Sequence, residues 1–318
     1  MATIGTDINK AAELLAEGKL VAIPTETVYG LAANALDEKA LLSVFEVKQR
    51  PFFDPLIVHA PSLEDAITYA TISDERLMAL ARKYWPGPLT LLLPKKDIIP
   101  GLVTSGLSRV GIRVPAHPLT QELLKKVKLP LAAPSANPFG YISPTLASHV
   151  QKQLGTKVTY ILDGGNCSIG IESTIVGVED GILCIYRLGG LAVEAIEKIA
   201  GKARLLLHQS SDPSAPGQLT NHYAPRKPFY LGNIDSLIAE HKSKKIMVIA
   251  FGARNYGGEK IQMLNLSPDA QLNEAAINLF KMLREADDSD AEILIAEPVP
   301  AEGLGMAIND RLKRAAAR

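Results

Sequence analysis

Pro24-Thr25-Glu26-Thr27-Val28-Tyr29-Gly30-Leu31 sets two threonines and a glutamate directly behind a short apolar run, residues 20–23. Polar groups at such a strand end stand where α/β sheets often take ligands. The same residues also read as a capped turn into a following helix. A second cluster, Lys48-Gln49-Arg50-Pro51, closes a helical stretch. Pro51 disfavours a helical Arg50, which would let Lys48 and Arg50 converge on one anion. Arginine grips phosphate oxygens as a fork and lysine adds a compact charge. The alternative is favourable charge at a helix C-terminus.

Arg113 lies inside the apolar run Val110-Gly111-Ile112-Arg113-Val114. If buried there it needs a partner, because an isolated charge is costly; a ligand carboxylate or a structural Asp or Glu would serve. His59 follows the apolar run 56–58 and reads as a structural hydrogen bonder. Pro134-Ser135-Ala136-Asn137-Pro138 and Ser143-Pro144-Thr145 place small polar groups where they can line a nucleotide or serve as turns and caps. Gly164-Gly165 and Gly170-Ile171-Glu172-Ser173-Thr174 leave room for a close ligand, and Arg187-Leu188-Gly189-Gly190 adds a cation just past a strand. Phosphate-loop, dinucleotide and nucleophile-elbow signatures are absent, and the six histidines show no paired metal spacing. A ligand here would be held by dispersed Lys, Arg, Ser and Thr from several strand ends.

These groups need elements to carry them. Ile8, Ala11, Ala12 and Leu15 form one helical face, capped by Thr6 or Asp7 and ended by Gly18. Apolar runs at 20–23, 56–58, 89–93, 110–114, 131–133, 158–162, 174–178 and 182–186 read as strands, with helices at 38–47 and 74–83 among them. The pattern predicts an α/β domain with a twisted mixed sheet over residues 1–209, not a regular βαβ repeat. Residues 210–228 hold Pro213, Pro216, Gly217, Pro225 and Pro228 and read as a linker. Prolines favour a defined path over a loose tether, and His222, Tyr223 and Arg226 would suit a lid over a nucleotide. Beyond it, a strand at 246–251, a helix bearing Leu272, Ala276, Leu279, Phe280 and Leu283, a strand at 292–296 and a helix after Gly305 predict a small Rossmann-like parallel domain, 229–318.

The 318 residues exceed what one core usually organises. With 34 basic and 34 acidic side chains, bulk attraction to a polyanion is not indicated, which argues against a passive double-stranded RNA-binding module. Two cysteines, Cys167 and Cys184, are too few for a disulfide framework and suit a reducing compartment. Residues 1–20 lack a basic run followed by an apolar core, and no apolar run reaches about 18 residues, so neither a secretory signal nor a membrane span is expected. A cytoplasmic location follows.

In this order, the stretches 24–31, 48–50, 55–59, 134–137, 172–176 and 187–189 resemble the YrdC-type domain. Pro216-Gly217, His222-Tyr223-Ala224-Pro225 and the tail Gly303-Leu304-Gly305-Met306-Ala307-Ile308 resemble the two-domain members, the threonylcarbamoyl-AMP synthases. The resemblance implies condensation of L-threonine, bicarbonate and ATP to threonylcarbamoyl-AMP and pyrophosphate, with Mg2+ on the nucleotide. The product passes to a separate system that modifies the tRNA adenosine beside the anticodon. By motif position it implies Lys48 and Arg50 as charge neutralisers in catalysis. It places Thr27, His59, Arg113, Ala133 and Ser173 around threonine. Arg50, Asp54, Arg109, Ser135, Asn137, Ser143, Arg187 and Tyr223 would surround ATP, and no protein metal site is implied. Asp54 departs from the Asn more common in the family, and Arg109 from a small hydroxyl residue. Hydrogenase-maturation carbamoyl-transfer proteins share the domain but are much longer and carry zinc-finger cysteines.

Overall fold

The computed structural model describes residues 1–207, 215 and 223–317. The first domain runs β1 (Thr3–Gly5), α1 (Ile8–Ala16), β2 (Val21–Ile23), β3 (Gly30–Asn34), α2 (Glu38–Lys48), β4 (Ile57–His59), α3 (Leu63–Tyr69), α4 (Glu75–Tyr84) and β5 (Leu89–Pro94). It continues through α5 (Gly101–Thr104), β6 (Arg109–Arg113), α6 (Pro118–Val127), β7 (Leu131–Ala132), α7 (Ala147–Leu154), β8 (Tyr160–Leu162), β9 (Thr174–Glu179), β10 (Ile182–Arg187), α8 (Val193–Ala200) and β11 (Arg204–Leu205). Its sheet is mixed, ordered β1-β8-β2-β3-β7-β4-β6-β5-β9-β10-β11.

Local chemistry accounts for the helix ends. Asp7 caps α1 by accepting from the backbone N–H groups of Asn9 and Lys10, and Asp37 does the same for α2 at Lys39 and Ala40. The chain then leaves α2 through Gln49 in the left-handed region, φ 54°. The stretch 24–29 runs into a strand, β3, antiparallel to β2, and not into a helix. Gly30-Leu31-Ala32-Ala33-Asn34 has no β-branched residue, so only sheet pairing makes it a strand.

The second domain comprises β12 (Phe229–Leu231), α9 (Ile234–Glu240), β13 (Ile246–Ala250), β14 (Ile261–Asn265), α10 (Leu272–Asp288), β15 (Ile293–Ala296) and α11 (Gly305–Ala315). Its sheet, β12-β15-β13-β14, is wholly parallel. The short or half-exposed elements β12, α9 and β14 escape the sequence reading. Ala275, Leu279, Phe280 and Leu283 of α10 and Ile308 and Leu312 of α11 join the same buried cluster as Leu188, Ile185 and Tyr223, so one core spans both sheets. Among the described residues no helix is long and apolar enough to cross a membrane. Both cysteines are buried and unbridged.

Candidate active site

The stretch 24–31 is strapped in place by backbone bonds. Tyr29 N–H donates to Pro144 O (2.8 Å), Leu31 N–H to Pro134 O (2.7 Å), and Ala136 N–H to Tyr29 O (2.8 Å). Inside the turn, Thr25 Oγ1 donates to Val28 O at 2.6 Å and lies 2.8 Å from Thr27 Oγ1. Beside it, β4 and β6 run parallel with His59 opposite Arg113. The end of β10 lies against residues 172–174 because Gly189 has no side chain: a Cβ there would stand 2.2 Å from Glu172 O. That approach lets Arg187 Nη2 donate to Ser173 Oγ and its Nε to Ser173 O, both at 3.0 Å.

These segments line a pocket whose empty space, open mouth included, is about 520 Å³. Its wall includes Thr27, Arg50, His59, Arg113, Ala133, Ser135, Ser173, Arg187 and Tyr223, all singled out from the sequence. It also includes Val28, Pro55, Ile57, Pro134 and Glu172, to which the resemblance assigns no role.

Arg113 has a structural carboxylate partner as well as a place in the wall. Its Nη2 donates to Glu26 Oε1 (2.6 Å), its Nη1 to Thr27 Oγ1 (2.8 Å) and its Nε to Gly87 O (3.2 Å). A guanidinium has five N–H groups, so one on each Nη has no partner among the described residues. Arg113's need for an acid was readable from its apolar strand, and Glu26 is that acid. His59 is buried with its pKa pushed down to about 3, first by burial and then by Arg113. It is neutral near pH 7 and contributes hydrogen bonding, not charge; its Nδ1 has no partner among the described residues.

Arg50 is fastened to the loop that follows it. Its Nε donates to Asp54 O (3.0 Å) and Nη2 to Pro55 O (2.7 Å), with Nη2 2.8 Å from Asp54 Oδ2. That last contact lacks hydrogen-bond alignment, so both Asp54 carboxylate oxygens are buried without a hydrogen bond among the described residues. Burial pushes the Asp54 carboxyl up, while Arg50, Lys48 and Arg187 draw it down.

Five expected site residues stand outside the wall. Lys48 is buried behind it, with Nζ donating to Ser135 O (2.5 Å) and Asn137 O (2.6 Å). Asn137 folds its amide onto the Pro138 and Tyr141 carbonyls. Ser143 donates to Glu172 Oε1 at 2.5 Å. Asp54 sits behind Arg50. Arg109 begins β6 and donates to Tyr186 Oη at 2.9 Å. It shares a strand face with Arg113, but four residues of strand put it about 13 Å away. Of the expected lid, the structure describes Ala215 and residues 223–228; Ser210, His222 and the rest lie outside the described residues. Tyr223 is in the pocket wall.

Lys48 carries a pH prediction. Burial, then the charge of Arg50, holds its pKa well below the ordinary lysine value, with Asp54 opposing. The unfolded chain therefore binds this proton more tightly. Its stability contribution is present above the unfolded lysine pKa and is lost as pH falls through the depressed folded value. Lys48→Met abolishes that slope while stranding two carbonyls, at a cost of about 1–3 kcal/mol each. Urea unfolding at paired neutral and alkaline pH values measures it; parallel slopes in wild type and variant contradict the assignment.

Comparison with known proteins places this geometry among relatives. The Sua5–YciO–YrdC family model, described as telomere recombination, matches residues 13–189. A second model, the threonylcarbamoyl-AMP synthase C-terminal domain, matches residues 191–317. The threonylcarbamoyl-AMP synthase of Pyrococcus abyssi is 40% identical, over 97% of this chain and 93% of its own. That of Bacillus subtilis is 38% identical, over 99% and 94%. The crystal structure of P. abyssi Sua5 complexed with L-threonine superposes with a TM-score of 0.93 at 39% identity, covering 99% of this chain and 97% of that one.

Proposed function

The chain belongs to the Sua5–YciO–YrdC family, and on that premise we propose that it is an L-threonylcarbamoyladenylate synthase, a nucleotidyltransferase that consumes L-threonine, bicarbonate and ATP. The observation that carries this reading is the pocket wall itself: Arg50, Arg113 and Arg187 face one cavity together with Thr27, Ser135, Ser173 and Tyr223. Carboxylation of the threonine amine by bicarbonate releases water. A carbamate oxygen then bonds to the α-phosphorus of ATP as the bond to the β-phosphate oxygen breaks, releasing pyrophosphate. Both reactants are anions, so cations and oriented donors lower the barrier more than a covalent nucleophile would.

In this assignment the two spare N–H groups of Arg113 take the threonine carboxylate. Thr27, Ser173, neutral His59 and the small Ala133 shape the amino-acid side. Arg50, Arg187 and Ser135 take the phosphates, and Tyr223 covers the nucleotide. Lys48 and Asn137 act from behind by holding the 135–137 turn, Ser143 acts through Glu172, and Asp54 acts through Arg50. Among the described residues no three carboxylate, histidine or cysteine side chains gather as metal ligands. Mg2+ would enter as part of the nucleotide substrate, and the chain's own task would be to hold the phosphates. The product would pass in the cytoplasm to a tRNA-modifying system.

Purified protein is expected to release pyrophosphate only when threonine and bicarbonate are both present. Assaying each amino acid in turn, with and without bicarbonate, tests this; release indifferent to threonine overturns the reading.

A further inference from the structure

Arg311, on α11 of the second domain, is the largest fully buried side chain described, at 0% exposure. Its donors go to three separate segments. Nε donates to Glu172 Oε2 (2.9 Å), Nη2 to Leu188 O (2.8 Å) and Nη1 to Asp310 Oδ2 (2.6 Å). The guanidinium also lies 4.6 Å from the centroid of the Tyr223 ring. Phe280 of α10 lies against the same ring at 5.6 Å and 27°.

Two of the groups touched, Glu172 and Tyr223, are pocket wall, and the other first-domain contact, Leu188, adjoins Arg187. Buried ion pairs contribute little net stability compared with an apolar filling of the same space. Stability alone therefore does not account for an arginine in this position. Glu172 is a carboxylate in the wall of a pocket assigned to a triphosphate. Arg187 lies near it as well, but Arg311 is the cation hydrogen-bonded to it; without that bond its charge would be only partly offset and would repel that ligand.

We propose that Arg311 is a positioning residue for the nucleotide, through which the second domain completes the active site: it neutralises and orients Glu172 and braces Tyr223. This inference rests on the synthase reading above. It makes the second domain part of the ATP site and leaves the threonine side, built on Arg113, Thr27 and Glu26, to the first domain alone.

The test uses the full chain, with α,β-methylene-ATP as the probe in calorimetry and threonine KM from pyrophosphate release. Losing charge-assisted hydrogen bonds, Arg311→Met is expected to weaken binding of the analogue about tenfold or more, with threonine KM unchanged within about twofold. Lys152→Met is the comparison. Lys152, on α7, donates to Asp288 Oδ2 at 2.6 Å across the same domain junction and bonds neither to a wall residue nor to the segment that carries Tyr223, so the variant loosens docking without changing analogue affinity. Where Arg311→Met does not fold, Arg311→Lys keeps the cation beside Glu172 but not the fork, and still weakens binding about threefold. Wild-type affinity in a folded Arg311 variant, or parallel losses in the Arg311 and Lys152 variants, overturns the proposal. A wild-type protein that binds no nucleotide overturns the synthase reading itself, and this inference with it.

Discussion

Arg50→Met combined with Asp54→Asn is expected to lower threonine-dependent pyrophosphate release by about 10²- to 10³-fold, the loss typical of one preorganised charge contact to a transition state. The double change is the informative one. Arg50→Ala alone strands the buried Asp54 carboxylate, whose nearest cation is Arg50 Nη2 at 2.8 Å. Breaking a buried pair from one side costs about 3–5 kcal/mol of stability, which would hide the catalytic effect. Removing both charges together leaves the folding balance nearly even. Arg50 Nη1 has no partner among the described residues, while Nε and Nη2 are held by Asp54 O and Pro55 O. The side chain is thus fixed in place with donor capacity left for a ligand. Turnover within threefold of wild type in a folded double variant would reduce Arg50 to a fastener for the 50–55 loop.

Arg113→Met with Glu26→Gln is expected to raise the threonine concentration needed for half-maximal rate by about ten- to a hundredfold, because a charge-assisted bond to a carboxylate contributes about 1.5–3 kcal/mol. The ATP requirement should stay nearly constant. The ion pair seen between Arg113 and Glu26 makes the paired change necessary for the same reason as above. It also sharpens the outcome. If Arg113 serves only Glu26, removing both charges leaves threonine KM untouched. If its spare N–H groups hold the substrate carboxylate, threonine KM rises although the fold is retained. Steady-state titrations of each substrate, run beside thermal unfolding, separate the two; equal rises in both KM values contradict the assignment to threonine.

Much of the pocket was legible before the fold was known, and the reason is local. Thr25, Glu26 and Thr27 behind residues 20–23, Arg113 within an apolar run, and Arg187 at the end of another are polar or charged groups at strand ends or in buried strands. Burial there demands a partner. Helix starts were legible for the same kind of reason, since Asp7 satisfies orphan N–H groups two and three residues on. What stayed hidden involved pairings between distant residues. Lys48 reads as a phosphate ligand beside Arg50, yet its Nζ donates to the carbonyls of residues 135 and 137. Arg109 shares a strand face with Arg113, and only strand length removes it from the cavity.

The sequence by itself determined which chemistry this protein can carry: dispersed cations and hydroxyls at strand ends, an arginine in an apolar strand that needs a partner, and two domains joined by a proline-bearing segment. Those properties follow from residue type and from neighbours within a few positions, where sterics, capping and burial act. Only the tertiary structure decided which of those groups share one cavity, that Glu26 is the partner of Arg113, and that α11 reaches the wall through Arg311. Arg311 and Glu172 are 139 residues apart. A contact at that separation exists only because both sheets contribute to one continuous core, and no local pattern encodes the register in which they meet.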